Sequence, residues 1–265
     1  MEITTNREGR TDEWVREGIV SENAPEPDDG IYPSNADAKL VSIIIPAFNE
    51  KEGIVNTIQA IPFDKLKDDG YKVQLIVVDN GSDDGTADLA EAQGAEVIFE
   101  PLKGYGHAFK AGFDRALGDI IVTADADGTY PIEDIPRLVK ILCDENLEFL
   151  TTNRLAEIED GAMSPLHRFG NGVLSLVFKL LYRANLKDSQ SGMWVFRKAV
   201  WDAARLKSSS MPMSEELKIE AIFYQKRRWR EVPIKYSVRL GEAKIASWKH
   251  GFENLMYLFK KRVVR

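Results

Sequence analysis

The stretch that decides the fold runs from Asp119 to Gly128 and reads Asp-Ile-Ile-Val-Thr-Ala-Asp-Ala-Asp-Gly. Its first half is an apolar, β-branched run, typical of a strand covered on both faces. Its second half places Asp125 and Asp127 at the end of that strand, where they can reach one hard cation, since Mg²⁺ and Mn²⁺ prefer oxygen ligands. The alternative is that Asp127 and Thr129 only cap the next helix.

Similar apolar runs precede this stretch and alternate with helical patterns. Val41-Ser42-Ile43-Ile44-Ile45 opens the series, and Val73-Gln74-Leu75-Ile76-Val77-Val78 follows one helix later. Strands that alternate with helices form βαβ units with parallel pairing. We therefore predict an α/β fold with a mostly parallel central sheet flanked by helices. The predicted strands here are 41–45, 73–78, 96–99 and 119–124, with helices near 50–61, 85–93 and 105–117.

The second half of the chain has a less regular pattern. A helix follows Pro131, because Ile135, Leu138, Val139 and Leu142 share one helical face. Beyond it we predict strands near 148–152, 193–196 and 231–236, and helices near 165–184, 214–227 and 247–263.

The charge of the chain is concentrated in its first 40 residues. They contain ten acidic and four basic residues, and so carry −6 of the net charge of −7. The nearly neutral remainder has no concentrated basic patch of the kind that binds nucleic acid. We expect a disordered acidic tail over 1–39, with a short helix near 14–20 as the alternative. A single domain over 40–246 and a basic amphipathic helix over 247–265 would follow it.

Two features bear on the compartment. The chain has one cysteine, Cys143, so no internal disulfide can form and a reducing compartment fits. No apolar stretch reaches the roughly 20 residues that span a bilayer, and the N-terminus lacks a signal-peptide pattern. These features predict a cytoplasmic protein that can still associate peripherally with a membrane.

Polar residues follow three of the predicted strands. These segments are Pro46-Ala47-Phe48-Asn49-Glu50, Asp79-Asn80-Gly81-Ser82-Asp83-Asp84-Gly85-Thr86 and Asp125-Ala126-Asp127. The carboxyl ends of parallel strands share one edge of the sheet, where ligands bind. In combination these motifs resemble those of family 2 glycosyltransferases with the GT-A fold, over about residues 40–240.

The resemblance implies a nucleotide-sugar donor, a UDP- or GDP-hexose, bound with Mg²⁺ or Mn²⁺. It assigns four residues to the border of the nucleoside: Pro46, Phe48, Glu50 and Asp79. It assigns three more to the diphosphate, the sugar and the metal: Asp125, Ala126 and Asp127. Many relatives have a glutamine as a metal ligand where this chain has Thr129. A hydroxyl can also ligate, directly or through water, so Thr129 is a third metal-ligand candidate.

A glycine-rich stretch, Pro101-Leu102-Lys103-Gly104-Tyr105-Gly106-His107-Ala108, precedes a predicted helix. Glycines let backbone amides approach phosphate, and Lys103 adds a positive charge. The stretch also matches the family pattern, so Lys103 is a candidate for donor binding.

Four further motifs resemble the synthases that load sugars onto dolichyl or polyprenyl phosphate. They are Thr152-Asn153-Arg154, His167-Arg168-Phe169-Gly170-Asn171, Asp188-Ser189-Gln190-Ser191-Gly192-Met193 and the segment from Glu231-Val232-Pro233-Ile234 to Lys244. The resemblance implies an acceptor-binding set of Arg154, Arg168, Asn171 and Ser191, with Arg154 joining Asp125 and Asp127 as catalytic residues. It implies that Arg239 and Lys244 serve the donor diphosphate, or a loop that closes over it.

The acceptor decides whether a base is needed. A phosphate monoester is already an anion and can attack the anomeric carbon unaided, whereas a sugar hydroxyl needs a carboxylate base. Glu215 and Glu216 could supply that base, or could simply begin a capped helix. We predict a metal-dependent, inverting hexosyltransferase that uses polyprenyl (dolichyl) phosphate. The alternatives are a family 2 transferase acting on a hydroxyl of a glycolipid or glycan, and a degenerate nucleotide-sugar-binding scaffold.

Two helical segments are candidates for membrane contact. The segment 166–182 is apolar on most sides, and the segment 247–265 combines aromatic and aliphatic residues with lysine and arginine. A basic amphipathic helix is typical of binding to a membrane surface. The alternative is that both helices pack on the sheet or on a second subunit.

Overall fold

The computed structural model describes residues 39–241 and 247–264. Its strands are β1 (Lys39–Ala47), β2 (Tyr71–Asp79), β3 (Glu96–Phe99), β4 (Ile120–Thr123), β5 (Phe149–Ile158), β6 (Trp194–Arg197) and β7 (Trp229–Tyr236). They form one sheet in the order β3-β2-β1-β4-β6-β5-β7. All neighbouring pairs are parallel except those that β6 makes with β4 and β5. The predicted α/β fold with a mostly parallel sheet is confirmed.

Helices connect the strands and cover both faces of the sheet. They are α1 (Ile54–Gln59), α2 (Phe63–Asp68), α3 (Thr86–Ala92), α4 (Tyr105–Arg115), α5 (Ile135–Asp144), α6 (Pro165–Tyr182), α7 (Lys198–Asp202), α8 (Met213–Lys218) and α9 (Ser247–Val263). A short 3₁₀ helix, Ile132–Asp134, precedes α5, and a π-helix, Ile219–Tyr224, continues α8.

The β-branched run of β1 is explained by burial on both faces. Ile43 and Ile45 belong to one apolar cluster, and Ile44 belongs to a second cluster that contains Phe109 and Phe113 of α4. Successive side chains of a strand point to opposite faces, so a strand in the middle of a covered sheet has no polar face. All five side chains are fully buried.

Three predicted elements differ from the structure in extent. The chain forms a turn at Glu50–Gly53, so α1 begins only at Ile54. The predicted helix near 214–227 is divided between α8 and the π-helix, which ends at Tyr224. The strand predicted near 148–152 extends to Ile158, because β5 resumes its pairing with β7 beyond an irregularity between Asn153 and Glu157.

The terminal segments were predicted to form separate parts. The predicted tail lies outside the described residues, apart from Lys39 in β1, so its disorder stays a prediction. The predicted helix near 247–263 corresponds to α9, which packs on α6: Leu258 is fully buried and its carbonyl accepts a 2.7 Å hydrogen bond from Tyr182. None of the described helices is both long and apolar enough to cross a membrane.

Helix α4 approaches the sheet closely at Gly112. A Cβ atom there would lie 2.5 Å from Ile44 Cγ2 and 3.1 Å from Val78 Cγ2. We expect Gly112→Ala to lower the free energy of unfolding by about 1–3 kcal/mol, the usual range for overpacking a core. Urea unfolding measures this change.

Gly172→Ala is the matched control. Gly172 lies within α6 and a Cβ atom there would meet no atom within 4 Å. Replacing a helical glycine by alanine in open space stabilises by about 0.5–1 kcal/mol. Equal effects of the two substitutions would contradict the packing described for α4.

Candidate active site

A cavity of about 300 Å³ opens where β1, β2 and β4 end. Eight of the predicted donor-binding residues border it: Pro46, Phe48, Glu50, Lys103, Asp125, Ala126, Asp127 and Arg239. The remaining border includes Asn80, Tyr105, Met211 and His250 of α9, none of which was a candidate from the sequence. The three strand-end segments therefore meet, as the parallel sheet requires.

Several hydrogen bonds join the loops after β1 and β2. The Asn49 amide donates to Ser82 Oγ at 2.9 Å, and the Asp83 amide donates to Asn49 Oδ1 at 2.9 Å. The Glu50 amide donates to Thr86 Oγ1, also at 2.9 Å. These bonds hold the segment of Phe48 and Glu50 against the turn after β2, so the two family motifs form one wall of the cavity.

Asp79 supports this wall from within. It is 5% exposed, and its carboxylate accepts a hydrogen bond from the Ser82 amide at 3.1 Å. Its neighbour Asn80 borders the cavity instead, so the predicted contact of Asp79 with a nucleoside stays a prediction.

Asn80 fixes the glycine-rich loop. Its side chain donates to the carbonyl oxygens of Glu100 and Leu102 at 2.9 Å and accepts from the Gly104 amide at 2.8 Å. The Lys103 ammonium then lies 4.7 Å from the centre of the Phe48 ring. The place of Asn80 at the start of a predicted turn is its one signal in the sequence, because its three hydrogen-bond partners lie 20–24 residues away.

Asp127 is held on both sides. Its Oδ1 accepts from the Thr129 amide at 3.0 Å and from the Thr129 hydroxyl at 2.6 Å. Its Oδ2 lies 2.6 Å from Arg239 Nη1, and the same guanidinium also pairs with Glu50. Arg239 thus bridges the segments after β1 and β4. Thr129 is 2% exposed and orients Asp127, so direct ligation of a metal by Thr129 stays a prediction.

Asp125 carries the most perturbed carboxylate of the cavity border. Burial, and next the negative charge of Asp127, raise its pKa to about 7, while Arg154 and Arg239 act in the opposite direction. Two carboxylates in a dry site strongly favour the approach of positive charge.

The residues of the site fit a divalent cation that a substrate helps to hold. Among residues 39–241 and 247–264, no group of three or more His, Cys, Asp or Glu side chains is placed to bind a metal unaided. Mg²⁺ commonly binds through one or two carboxylates together with substrate phosphates and water. Asp125 and Asp127 meet that requirement.

The backbone of the Asp125–Asp127 turn is seated on α1. Thr57 Oγ1 donates to the Ala126 carbonyl at 3.1 Å, and a Cβ atom at Gly53 would lie 2.4 Å from that oxygen. The glycine therefore permits a contact that any side chain would prevent, which explains the turn at Glu50–Gly53 before α1.

Arg154 is the best-anchored of the predicted acceptor-binding residues. Its guanidinium forms two hydrogen bonds with Asp188, of 2.8 and 2.9 Å, and its amide donates to the same carboxylate at 3.0 Å. Burial would raise the pKa of Asp188, but Arg154 holds it below its usual range. The positive charge of Arg154 also acts to lower the pKa of Asp125, against the effect of burial.

The other predicted acceptor residues and Lys244 are placed differently. Arg168 is exposed on the first turns of α6, and Asn171 of the same helix contacts Met163. The Ser191 side chain is buried and shares a 2.7 Å hydrogen bond with Thr152. Like Arg154, none of these three borders the cavity, so the contact of all four residues with an acceptor stays a prediction. Lys244 lies outside the described residues.

Glu215 and Glu216, the candidate bases for a hydroxyl acceptor, are fully buried and do not border the cavity. Glu216 accepts hydrogen bonds from the amides of Lys207 and Ser208 and pairs with Lys261 at 2.9 Å. Glu215 accepts a hydrogen bond from Gln190. Both side chains therefore stabilise the structure behind the cavity.

Burial raises the pKa of Glu215 to about 8, although Gln190 and Lys218 oppose the shift. The folded protein then retains a proton that the unfolded chain releases near the ordinary value of 4.5. This contribution to stability is complete below that value and is lost as the pH rises towards 8. We expect Glu215→Gln to raise the urea midpoint at pH 8 and to have a smaller effect at pH 5.

Urea midpoints of Glu157→Gln at pH 8 and pH 5 control for the loss of an acidic group, because Glu157 is exposed on β5. A stability difference for Glu215→Gln that stays constant from pH 5 to pH 8 would contradict the raised pKa.

Solved structures with the same fold hold a nucleotide and a metal. Glucosyl-3-phosphoglycerate synthase from Mycobacterium tuberculosis, in complex with Mn²⁺, UDP and phosphoglyceric acid, has a TM-score of 0.69 at 20% identity, over 86% of this chain and 80% of that one. The same enzyme with Mg²⁺ and UDP has a TM-score of 0.65 at 21% identity, over 86% and 80%. This likeness confirms the predicted GT-A fold.

Relatives by sequence occur in Haloferax volcanii. The low-salt glycan biosynthesis hexosyltransferase Agl6 is 33% identical over 223 residues, which are 83% of this chain and 53% of Agl6. A dolichyl-phosphate hexose transferase is 28% identical over 211 residues, 80% of this chain and 89% of that protein. This chain therefore spans about half the length of Agl6, and its match to the glycosyltransferase AglJ covers 57% of that protein.

The profile of Glycosyl transferase family 2 matches residues 42–203, which contain β1, β2, β4 and the Asp125–Asp127 turn. The sheet, the cavity at its carboxyl edge and the sequence relatives agree with this match. The chain belongs to glycosyltransferase family 2.

Proposed function

We propose that this protein transfers a hexose from a nucleoside diphosphate sugar to a polyprenyl (dolichyl) phosphate, with inversion at the anomeric carbon and with Mg²⁺ or Mn²⁺. The observation that carries the proposal is the pair Asp125 and Asp127 at the cavity border, on which the positive charges of two arginines act. Arg239 pairs with Asp127 on one side, and the charge of Arg154 acts on Asp125. Such a site suits two anionic substrates, one of which brings a divalent cation.

The donor side is formed by the loops after β1, β2 and β4. Phe48 and Pro46 supply apolar surface for a nucleobase, beside the polar side chain of Asn80. Lys103 and Arg239 border the same cavity and can neutralise a diphosphate. The UDP-bound structures with this fold support a nucleotide-sugar donor.

Asp125 and Asp127 would hold the metal, together with the diphosphate oxygens. A bound divalent cation would stabilise the negative charge that develops on the leaving nucleoside diphosphate. Thr129 fixes the orientation of Asp127 in that role. The Mn²⁺ and Mg²⁺ complexes of the M. tuberculosis enzyme support a metal of this type.

The acceptor side contains a buried guanidinium and no candidate base from α8. Arg154, fixed by Asp188, can bind and orient a phosphate monoester, while Glu215 and Glu216 are engaged behind the cavity. A phosphate oxygen attacks the anomeric carbon without losing a proton. The bond from that carbon to the diphosphate oxygen breaks, and its electron pair leaves with the nucleoside diphosphate. The relative named as a dolichyl-phosphate hexose transferase supports this acceptor.

A lipid acceptor requires access to a membrane surface, and two helices suit such contact. The exposed apolar side chains of α6 are Leu166, Phe169, Val173, Leu176 and Leu180, and those of α9 are Phe252, Met256, Phe259 and Val263. Within each helix they are spaced three or four residues apart and so share one face. Lys179, Arg183 and Lys260 are exposed on or next to the same two helices, and we propose that this apolar and basic surface binds anionic lipid.

The decisive experiment measures release of the nucleoside diphosphate by the purified protein. UDP- and GDP-hexoses are tested with Mg²⁺ or Mn²⁺, each with and without a short polyprenyl phosphate in detergent. We expect release to require one donor and the lipid phosphate together. Asp127→Asn should lower turnover by about two orders of magnitude or more, because the metal and the leaving group lose a charged ligand. The exposed Asp88→Asn is the matched control.

Arg154→Lys tests the acceptor side. Lysine keeps the charge but cannot reproduce a bidentate guanidinium. We expect a higher KM for the lipid phosphate at an unchanged affinity for the nucleotide, while Arg115→Lys, at an exposed ion pair, behaves as wild type. Release that the lipid does not stimulate would instead favour a hydroxyl acceptor. Unchanged turnover in Asp127→Asn would favour a degenerate scaffold.

Sedimentation with anionic vesicles tests the lipid surface. Phe252→Ser removes a side chain that is 65% exposed, and Phe99→Ser on β3 removes one with the same exposure. Burying a phenylalanine in an apolar phase is worth about 1.5–3 kcal/mol, so we expect vesicle affinity to fall about tenfold or more for Phe252→Ser. Phe99→Ser should have no effect. Equal losses for both variants, or no loss for either, would rule out α9 as the lipid contact.

A further inference from the structure

The loop Asp188–Gly192 connects Arg154 and the end of β4 to the helices behind the site. Asp188 holds the Arg154 guanidinium and amide. At the other end of the loop, the Gly192 amide donates to the Tyr130 hydroxyl at 2.7 Å, and the Gly192 carbonyl accepts from Thr123 Oγ1 at 2.8 Å. Thr123 ends β4, two residues before Asp125. A shift of this loop would therefore move Arg154 relative to the carboxylate pair.

The Gln190 side chain joins this loop to two helices. Its Nε2 donates to Ser189 Oγ at 2.9 Å and to Glu215 of α8. Its Oε1 accepts a 2.7 Å hydrogen bond from Asn254 of α9, which is 5% exposed. The Gln190 amide donates to Asp188 Oδ1 at 3.1 Å, so the residue that receives the helix contacts also touches the partner of Arg154.

Lys218 fixes the backbone of the same loop. Its fully buried ammonium donates to the carbonyl oxygens of Ser189 and Ser191 at 2.8 and 2.7 Å. A third hydrogen bond, of 3.1 Å, goes to Ser214 Oγ. Lys218 and Glu215 thus hold the loop from α8, while Asn254 is its contact from α9.

The helix α9 has its own anchors, which do not involve the loop. Lys261 pairs with Glu216 at 2.9 Å and with Glu220 at 2.8 Å, and it is 2% exposed. Leu258 and Tyr182 fix the middle of the helix. Because α9 is held independently, the hydrogen bond from Asn254 can fix the loop rather than the helix.

We propose that Asn254 and Gln190 are positioning residues that couple α9 to Arg154. The hydrogen bond between their side-chain amides holds the loop Asp188–Gly192 in place, and with it the Arg154 guanidinium that Asp188 binds. The helix that exposes an apolar face is then also a part of the acceptor side. The identity of the acceptor rests on the function proposed above, whereas the positioning of Arg154 does not.

The first test needs no substrate. The Arg154 amide donates to Asp188, so its hydrogen exchange reports the contact directly. We expect Asn254→Ala to raise exchange about fivefold or more in peptides covering 150–156 and 186–193, and to leave α3 unchanged. Gln190→Ala, which breaks the same bond from the loop side, should raise exchange in the same peptides.

The control is an exposed amide pair of the same kind. Gln59 Nε2 donates to Gln93 Oε1 at 3.0 Å on the surface, and Gln93→Ala should leave both site peptides unchanged. In Asn254→Ala, faster hydrogen exchange confined to α9, or uniformly faster exchange over the whole chain, would overturn the proposal. Either result would mean that the contact only stabilises the helix or the fold.

The second test is a double-mutant cycle in turnover. We expect Asn254→Ala and Gln190→Ala each to lower kcat/KM for the acceptor about fivefold to tenfold, and the double variant to be no worse than the weaker single one. The affinity for the nucleoside diphosphate with Mn²⁺ should not change. A loss of stability alone would instead lower kcat/KM for the acceptor and the nucleotide affinity together. Additive losses, or an equal loss of nucleotide affinity, would contradict the coupling.

The hydrogen-exchange test and the turnover test distinguish a failure of the proposed acceptor from a failure of the positioning inference. If wild-type protein fails to use polyprenyl phosphate, the proposed acceptor is wrong, and the exchange arm still decides whether Asn254 positions Arg154. If turnover with the lipid is found but exchange at 150–156 is unchanged in Asn254→Ala, the positioning inference fails by itself.

Discussion

The structure depends on two carboxylates placed side by side at the end of β4, of which Asp127 is buried and Asp125 is partly exposed at the cavity border. An uncompensated pair of like charges is costly where water is largely excluded, and the pKa of Asp125, raised to about 7, reflects that cost. Two guanidiniums offset it. Arg239 reaches Asp127 from a segment 112 residues further along the chain, and Arg154 acts on Asp125 from β5. Each arginine needs a second carboxylate, Glu50 or Asp188, to fix its own position.

Arg239 belongs to the donor side of the site and Arg154 to the acceptor side, and different contacts hold the two sides in place. The donor side is built from loops that are joined to each other directly, through the bonds between the segments after β1 and β2. The acceptor side is held from behind, by Asp188 and the side chains of α8 and α9 that fix its loop.

The sequence predicted the elements whose signals are local. The β-branched runs of β1, β2 and β4 are explained by burial on both faces, and parallel pairing then places the polar strand ends together. It did not reveal Asn80, Gln190, Lys218 or Asn254, because their roles come from partners distant in sequence. The Asn254–Gln190 bond spans 64 residues and the Lys218–Ser189 bond spans 29. A motif also does not show where a side chain points, as the inward-facing Ser191 illustrates.

The proposed reaction requires that Asp125 and Asp127 hold a divalent cation that arrives with the donor. A crystal structure of the protein with Mn²⁺ and a nucleoside diphosphate, with the metal located by its anomalous scattering, tests this requirement. We expect Mn²⁺ to be bound by these carboxylates together with the diphosphate, with Arg239 moved from Asp127 towards the phosphates. Manganese bound elsewhere, or a nucleotide bound while the Arg239–Asp127 pair stays intact and the carboxylates hold no metal, would contradict it.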